Sequence, residues 1–368
     1  MTREAKAVVC RDWNQPIQVE TIQVSPPKRN EIMIKLAACG VCHSDLSAAT
    51  GKIQFPPPLV LGHEGAGKVV AVGEGVTAFK EGDAVISSFI SMCGKCRQCV
   101  RGRPVLCENA AKALITLPDG TVRTHDSQGN ALNVFGACGV MAEYATLHVD
   151  NAVKIDQNVP LQNAALVGCA VMTGVGAVFN TARVEPGSRT AIFGVGGVGL
   201  NAIQGCHTAG AEMIVAVDTN PEKLEMARQF GATHTVNASE EADAAKAVKK
   251  LTGGVDYAFE CVGSGAVVAQ AYKSLARGGT AVVVGVADPA DKTSIGTFSL
   301  PADERTIKGS WLGSARPQYD FPRILALYQA GKLKLDELVT RTYSIDDAPQ
   351  AFLDMEKGIN ARGVIMFD

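Results

Sequence analysis

Four cysteines lie within fifteen residues and have side chains that bind metal ions. They are Cys93, Cys96, Cys99 and Cys107, spaced as CxxCxxCx7C with no histidine between them. Thiols this close together in a reducing compartment are typical of a tetrahedral zinc site. Two disulfides would need an oxidising compartment, and a bacterial ferredoxin run has three residues before its last cysteine, where this chain has seven. The spacing therefore favours structural zinc in a lobe of about residues 91–110, closed to substrate.

A glycine-rich turn indicates a second chemistry, the binding of a dinucleotide. Gly194, Gly196 and Gly199 form GxGxxG between an apolar run at 190–193 and a helical stretch. These glycines let the backbone approach a pyrophosphate, which the positive end of the helix attracts. Asp218, nineteen residues after Gly199, supplies a carboxylate for the ribose hydroxyls and repels a 2′-phosphate. The sequence therefore predicts NAD rather than NADP.

Three neighbouring residues belong to the same predicted site. Gly197 and Val198 complete the turn, and Lys223 follows one turn into the next helical stretch. A cation at Lys223 suits the ribose, but it equally suits a solvated helix face. The sequence alone leaves both roles open for this lysine.

The elements that must position these residues form two patterns. Short β-type runs broken by Gly and Pro indicate a mostly β domain in the first part of the chain; the runs are 5–9, 17–24, 31–38, 67–72, 83–89 and 143–149. Apolar strands then alternate with helical stretches, which predicts a Rossmann-type, doubly wound parallel sheet. The predicted strands are 190–193, 213–217, 233–236, 255–259, 280–284 and 306–310, and the predicted helices are 197–209, 221–230, 240–251 and 264–276.

The final segment is too short for a core of its own. It contains helical patterns near 320–330 and 346–355 and an apolar strand at 362–367. We therefore predict an α/β protein in which residues 1–170 form one domain and residues 171–311 form the dinucleotide domain. Residues 312–368 are expected to pack back on the first domain and complete it.

Composition excludes several classes of protein. A chain of 368 residues exceeds what one core usually fills, which supports two domains. A net charge of −2 offers no basic field for nucleic acid or an anionic membrane. The amino terminus lacks the apolar run of a signal peptide, and an odd total of eleven cysteines fits reduced thiols. We expect a cytoplasmic protein with neither nucleic-acid nor membrane partners.

Three further segments carry metal-ligand side chains, and each alone is a weak signal. They are Cys42-His43-Ser44-Asp45, Gly62-His63-Glu64-Gly65 and Gly168-Cys169. A lone buried cysteine usually behaves as a small hydrophobic residue. In this order, together with the cysteine lobe, the glycine turn and Asp218, the segments resemble the zinc-containing medium-chain alcohol dehydrogenases over essentially the whole chain. The resemblance implies a GroES-like catalytic domain with an inserted Rossmann domain, in a homodimer or homotetramer.

The resemblance also implies an open metal site. Cys42, His63 and Cys169 match the ligands of a catalytic zinc whose fourth position holds water or substrate oxygen, so two zinc ions per chain are expected. Glu64 matches a residue that binds this zinc transiently during ligand exchange. Asp45 matches a residue that orients His63, although the sequence also allows it to be a helix cap.

The implied reaction is reversible oxidation of an alcohol by hydride transfer to NAD. Ser44 matches the residue that takes the alcohol proton, and Ser47 stands where many relatives end the proton relay with a histidine. His43 stands where many relatives bind the pyrophosphate with an arginine, and it is only partly charged at neutral pH. The family pattern also assigns Thr173 and Arg362 to the cofactor, although Arg362 equally suits a surface position before the last strand.

The resemblance assigns an apolar substrate channel. Its five residues are Ile53, Phe89, Val134, Val286 and Trp311. Walls of this kind favour a hydrophobic primary alcohol, whether aliphatic, allylic or aromatic. For Val134 and Val286 a plain core position fits as well.

Two alternatives stay open. The glutathione-dependent formaldehyde dehydrogenase branch shares a histidine after the first cysteine ligand. It carries an acidic residue and an arginine where this chain has Ile53 and Ala111, so the ionic contacts for a glutathione adduct are missing. A non-catalytic NAD-binding protein, from a different class, is expected to lack the open metal site, whereas all three ligands are present here.

Overall fold

The computed structural model describes residues 1–368, except for the side chain of Ala111. The glutathione comparison at that position therefore lies outside the described residues. The chain divides into two compact units. The first unit contains Met1–Cys169, Arg316–Ala326 and Leu335–Asp368, and the second unit contains Ala170–Ala315 and Leu327–Lys334.

The first unit is mostly β, as the broken apolar runs predict. Its first ten strands are β1 (Arg3–Cys10), β2 (Gln18–Val24), β3 (Glu31–Gly40), β4 (Leu59–Val60), β5 (Gly65–Val72), β6 (Ala84–Ser87), β7 (Thr124–His125), β8 (Asn133–Val134), β9 (Tyr144–His148) and β10 (Ala152–Lys154). Its first helices are short: α1 (His43–Ala49), α2 (Arg97–Val100) and α3 (Leu161–Ala165). Strand β3 is buried on both faces, with Ile32 and Ile34 in one core cluster and Met33 in another, because successive side chains of a strand point to opposite faces.

The second unit is a six-stranded parallel sheet covered by helices, which confirms the predicted doubly wound fold. Its strands are β11 (Arg189–Phe193), β12 (Met213–Asp218), β13 (His234–Asn237), β14 (Val255–Glu260), β15 (Leu275–Val283) and β16 (Thr306–Gly309), in the spatial order β13-β12-β11-β14-β15-β16. Its helices are α4 (Ala170–Gly176), α5 (Gly197–Thr208), α6 (Pro221–Gln229), α7 (Ala244–Thr252), α8 (Gly265–Ser274) and α9 (Ser299–Ala302). Right-handed crossovers place α5 and α6 on one face of the sheet and α7 and α8 on the other.

The last part of the chain contributes to both units. Its elements are α10 (Pro317–Gln329), β17 (Val339–Ser344), α11 (Ala348–Glu356) and β18 (Arg362–Met366). Strand β18 pairs antiparallel with β3 and parallel with β17, so it lies inside the sheet β10-β6-β5-β3-β18-β17. Residues Leu327–Lys334 instead group with the second unit, where the N–H of Lys334 donates to Gln204 over 2.8 Å. The predicted segment 312–368 is therefore divided in the structure.

Two predicted boundaries in the second unit are shifted. The helix predicted from residue 240 begins at Ala244, because the side chain of Asp243 accepts the N–H of Lys246 over 3.1 Å and caps it. The strand predicted from residue 280 begins at Leu275, directly after α8 ends at Ser274. Local capping and pairing fixed these ends, and neither is visible in apolar periodicity.

Residues 161–182 form helices that the sequence reading missed. Val167, Val171 and Val175 are all buried, and helices buried on every side lack the polar face that gives a helical period. No single helix among the described residues is long and apolar enough to cross a membrane. Leu161–Gly168 and Ala170–Ala182 have the length and composition only when taken together, and the chain bends by 57° between them.

Candidate active site and metal centres

Separate elements of the first unit bring four possible metal ligands together. Cys42 directly precedes α1, His63 and Glu64 directly precede β5, and Cys169 follows the turn after α3. One ligand atom of each lies within 4.8 Å of the other three. All four residues are buried. The three predicted ligands therefore converge, with Glu64 beside them.

The donor chemistry of this cluster fits zinc. Two thiols and one imidazole form the alcohol dehydrogenase type of site, with a fourth position open. A hydrogen bond from Cys169 lowers the pKa of Cys42 well below its ordinary value despite burial. Glu64 Oε1 is buried, has no hydrogen-bond partner among the described residues, and lies 4.0 Å from His63 Nε2. A buried acceptor left without a donor at this place suits a cation between the side chains.

Asp45 lies against the imidazole of His63. It stands in the first turn of α1 and is fully buried, and its Oδ2 is 3.2 Å from His63 Nδ1. Its Oδ1 accepts the N–H of Gly62 over 2.8 Å. Burial lowers the pKa of His63, but the charge and hydrogen bond of Asp45 outweigh it and hold the pKa well above its ordinary value. With Nδ1 directed at the carboxylate, Nε2 is left for a metal.

We expect Asp45→Asn to lower the affinity of this site for zinc by about 10- to 100-fold, as loss of such orienting carboxylates does. The variant keeps an acceptor for Gly62 but loses the charge that fixes the ring. Zinc retained during dialysis against graded chelator, counted by mass spectrometry, measures the effect. Asp150→Asn is the matched control, because Asp150 lies 3.5 Å from a histidine outside the ligand cluster, His148. Equal retention in both variants would contradict the orienting role.

Glu64 forms an ion pair with Arg362. The guanidinium of Arg362, at the start of β18, donates to Glu64 Oε2, and both side chains are buried. Burial raises the pKa of Glu64 to about 7, and the charge of Arg362 opposes that rise. A Cβ at Gly40 would lie 2.4 Å from Glu64 Oε2, so glycine makes room for the pair. The structure thus places Arg362 in a buried ion pair. The surface position that the sequence also allowed is wrong, and the role of Arg362 toward the cofactor stays a prediction.

Aromatic rings border His63. Phe89 and Phe135 meet its ring edge-on, with centroids 5.5 and 5.1 Å away. Phe55 in turn packs on Phe135 at 4.6 Å. Gly136 has φ of +61°, and a Cβ there would lie 2.8 Å from Phe89, so this close approach requires glycine. The sequence analysis did not identify Phe55 or Phe135 as site residues. The signal for Phe135 was that it directly follows Val134, a predicted channel residue.

The other predicted residues lie in both units. Three of them lie on α1: Ser44 and Ser47 are half-buried, and His43 is exposed. Among the channel residues, Val134 is buried and Ile53 half-buried in the first unit, while Val286 and Trp311 are largely exposed in the second. The core position that the sequence also allowed for Val286 is therefore wrong. Thr173 is half-buried on α4. The roles of these residues stay predictions.

The glycine turn lies between β11 and α5. Gly194 follows β11 with φ of +90°, and a Cβ at Gly199 would lie 1.9 Å from the Gly194 carbonyl oxygen. Asp218 ends β12, and its Oδ2 accepts the N–H of Val195 over 2.7 Å. Its Oδ1 accepts the N–H of Asn220 over 3.0 Å. The carboxylate therefore anchors the turn, and its remaining lone pairs are available to hydroxyl donors.

Two flanking helices carry the other predicted cofactor residues. Gly197 and Val198 form the first turn of α5, so their N–H groups lie at the helix end that attracts anions. Lys223 stands in the first turn of α6, where its N–H donates to the capping side chain of Asn220 over 3.4 Å.

The cysteine lobe forms a second cluster of possible metal ligands. The sulfur atoms of Cys93, Cys96, Cys99 and Cys107 lie within 4.8 Å of one another, and all four are reduced. The N–H of Cys96 donates to Cys93 Sγ over 3.3 Å. N–H groups of Cys99 and Glu108 lower the pKa of Cys96 to about 6, and burial with the neighbouring thiols raises that of Cys99 to about 12. Four thiols directed at one point fit a closed zinc site.

Comparisons with known proteins agree with this fold and these clusters. The family model of the alcohol dehydrogenase GroES-like domain matches residues 28–157, and that of zinc-binding dehydrogenases matches residues 197–330. The first match lies within the first unit, the second covers most of the second unit together with residues 316–326 of the first, and together they mark the chain as an oxidoreductase of the alcohol dehydrogenase class.

Similarity to individual relatives shows the family to which the chain belongs. The NDMA-dependent alcohol dehydrogenase of Amycolatopsis methanolica is 42% identical over 371 residues, covering 99% of each chain. The solved benzyl alcohol dehydrogenase of Acinetobacter calcoaceticus is 34% identical with a TM-score of 0.92 over 100% of both chains. A zinc-binding dehydrogenase of Sinorhizobium meliloti 1021 bound to NADP is 25% identical with a TM-score of 0.83, covering 99% of this chain and 100% of that one. The chain belongs to the zinc-containing medium-chain alcohol dehydrogenase family, as its motifs predict.

Proposed function

We propose that this protein oxidises hydrophobic primary alcohols to aldehydes, reversibly, with zinc and NAD. The observation that carries the proposal is the convergence of Cys42, His63 and Cys169 beside aromatic rings in a buried cluster. When bound, zinc supplies a Lewis acid for the alcohol oxygen and NAD accepts the hydride. Family membership supports the reaction class, and the ligand cluster supports the metal.

The chain's own residues have distinct tasks in this reaction. Cys42, Cys169 and His63 would hold the zinc, with Asp45 fixing the His63 ring through Nδ1. Ser44, two residues after Cys42 on α1, accepts the alcohol proton and passes it towards solvent. Because Ser47 replaces the histidine that ends this relay in many relatives, water or another group must complete the proton path, or the enzyme must tolerate the loss of that step.

Aromatic side chains favour a substrate with an apolar body. Phe89 and Phe135 flank His63, and Phe55 extends the same wall. Rings at such positions exclude water and gain free energy by covering apolar or aromatic carbon. The likeness to a benzyl alcohol dehydrogenase supports the same choice, so we propose benzylic and allylic alcohols as the preferred class.

Steady-state rates with NAD over a panel of alcohols test the proposal. We expect kcat/KM for benzyl alcohol to exceed that for ethanol by at least about tenfold, since burying the ring's apolar surface contributes more than 1.4 kcal/mol. The panel includes S-hydroxymethylglutathione. Faster turnover of that adduct than of benzyl alcohol would replace the proposal with the formaldehyde dehydrogenase alternative, and no turnover of any member would contradict both.

The NAD preference rests on Asp218. We expect Asp218→Asn to raise the ratio of kcat/KM with NADP to kcat/KM with NAD by about 10- to 100-fold, because the charge that repels a 2′-phosphate is lost. Asparagine keeps an acceptor for the N–H of Val195, so the turn is preserved. Glu222→Gln is the control, since it removes an exposed carboxylate from the adjacent helix α6. An unchanged ratio in both variants would assign cofactor choice to other residues.

We further propose a cytoplasmic homodimer or homotetramer assembled through the second unit. Strand β16 lies at the edge of the parallel sheet, and an edge strand presents backbone groups that another strand can pair. Light scattering coupled to gel filtration measures the mass. A single species of 38.5 kDa, the mass of one chain, would contradict assembly.

A further inference from the structure

A cavity of about 470 Å³ lies in the second unit, between α7, α8 and the segment 294–305. Its volume is within the range of small-molecule sites in proteins. Helices α7 and α8 cover the face of the sheet opposite α5, whose first turn carries the dinucleotide glycines. The cavity is therefore separate from the predicted cofactor turn.

The cavity is lined by four cations and one carboxylate. Lys246 and Lys249 stand on α7, Lys273 on α8, and Arg305 directly before β16. The carboxylate belongs to Asp243, which is engaged in capping α7. The three lysines are exposed and form no ion pair within the described part of the chain. In a chain of net charge −2, this local excess of positive charge attracts an anion.

Arg305, which lines the cavity, has one buried donor without a partner among the described residues. Its side chain is only 11% exposed, and its guanidinium lies 5.4 Å from the ring centroid of Tyr272. One nitrogen pairs with Asp303 over 3.2 Å, but the buried Nε has no hydrogen-bond partner among the described residues. A buried donor left unpaired is unfavourable, and an anion within its reach would satisfy it.

Hydroxyl groups add to the lining. Tyr272 Oη and Ser299 Oγ lie 2.6 Å apart at the cavity, and Ser299 also donates to the carbonyl of Gly296 over 2.7 Å. Both hydroxyl hydrogens are used within this group, so the donors left for a phosphate at the cavity are those of lysine and arginine. Ile295 and Ala269 give the same cavity an apolar side, so it can cover an organic group as well.

We propose that this cavity binds a phosphate-bearing small molecule, with the phosphate held between Lys246, Lys249, Lys273 and Arg305. Lysine and arginine are the side chains that hold phosphate most strongly. The proposal does not depend on the alcohol dehydrogenase reaction, because none of its residues belongs to the zinc clusters or the glycine turn.

Calorimetric titration of the intact protein with inorganic pyrophosphate tests the proposal. Saturating NAD occupies the cofactor turn, and sodium chloride keeps the ionic strength constant. We expect one pyrophosphate per chain with a Kd of about 1 mM or tighter. The double variant K246Q/K249Q should weaken binding by about tenfold or more, and Lys273→Gln, on the other helix, should weaken it as well.

Lys250→Gln is the matched control, because Lys250 is exposed on the same helix α7 but does not line the cavity. It should bind pyrophosphate like the wild type. Two results would overturn the proposal: no binding once NAD is present at constant ionic strength, or equal binding by K246Q/K249Q and Lys250→Gln. Thermal unfolding of each variant shows that the fold is kept.

Discussion

Cys42→Ser is expected to lower kcat/KM for benzyl alcohol by at least about a thousandfold, because a Lewis acid contributes several kcal/mol to the transition state. The substitution removes one of the three proposed zinc ligands and changes little else. Serine is close to cysteine in size, and Cys42 lies at the start of α1 rather than inside a strand of the core. Turnover should therefore fall far more than the temperature of unfolding.

The zinc content gives this prediction a readout other than activity. Wild-type protein should contain two zinc ions per chain and the variant one, since the lobe keeps its four cysteines. Cys39→Ser is the matched control: it makes the same atomic change three residues earlier, at a buried position outside the ligand cluster. A Cys42→Ser variant with two zinc ions and normal turnover would refute the assignment of Cys42 as a ligand. One zinc ion with normal turnover would show that the lost zinc ion is not needed for alcohol oxidation.

Local patterns in the sequence account for most of the second unit. Strands β11 and β12 are buried on both faces and therefore read as continuous apolar runs. The glycines after β11 and Asp218 after β12 then follow from the requirements of a pyrophosphate and a ribose. What local patterns missed is the helical segment 161–182, which is buried on nearly every side and shows no periodic polar face.

The ligand cluster is different, because no local pattern joins its members. Cys42, His63 and Cys169 come from three places in the chain, and only the family resemblance connected them before the structure did. The ion pair of Glu64 and Arg362 spans 298 residues and depends on β18 lying beside β3. Contacts of this kind arise from tertiary packing between segments that are far apart in the sequence. They cannot be recognised from local residue types and spacing.

Cys99→Ser in the lobe should lower stability and leave turnover similar, whereas Cys42→Ser should lower turnover and leave stability similar. We expect one zinc per chain, an unfolding temperature about 5 to 10 °C lower and a similar kcat for the molecules that remain folded. Helix α2 in the lobe has no buried residue, so little apolar packing holds this segment without a metal. Structural zinc contributes directly to folding free energy, and the loss of about 2 to 3 kcal/mol shifts a domain of this size by such an amount.

Differential scanning calorimetry and a zinc count measure this effect, with Cys206→Ser as the control for loss of a buried thiol outside both clusters. The two serine variants together separate folding from chemistry. If zinc has the two proposed roles, Cys42→Ser loses turnover with little loss of stability, and Cys99→Ser loses stability with little loss of turnover. A Cys99→Ser variant that unfolds normally but does not oxidise alcohol would instead place the reaction at the lobe. That result would contradict the closed geometry of its four thiols.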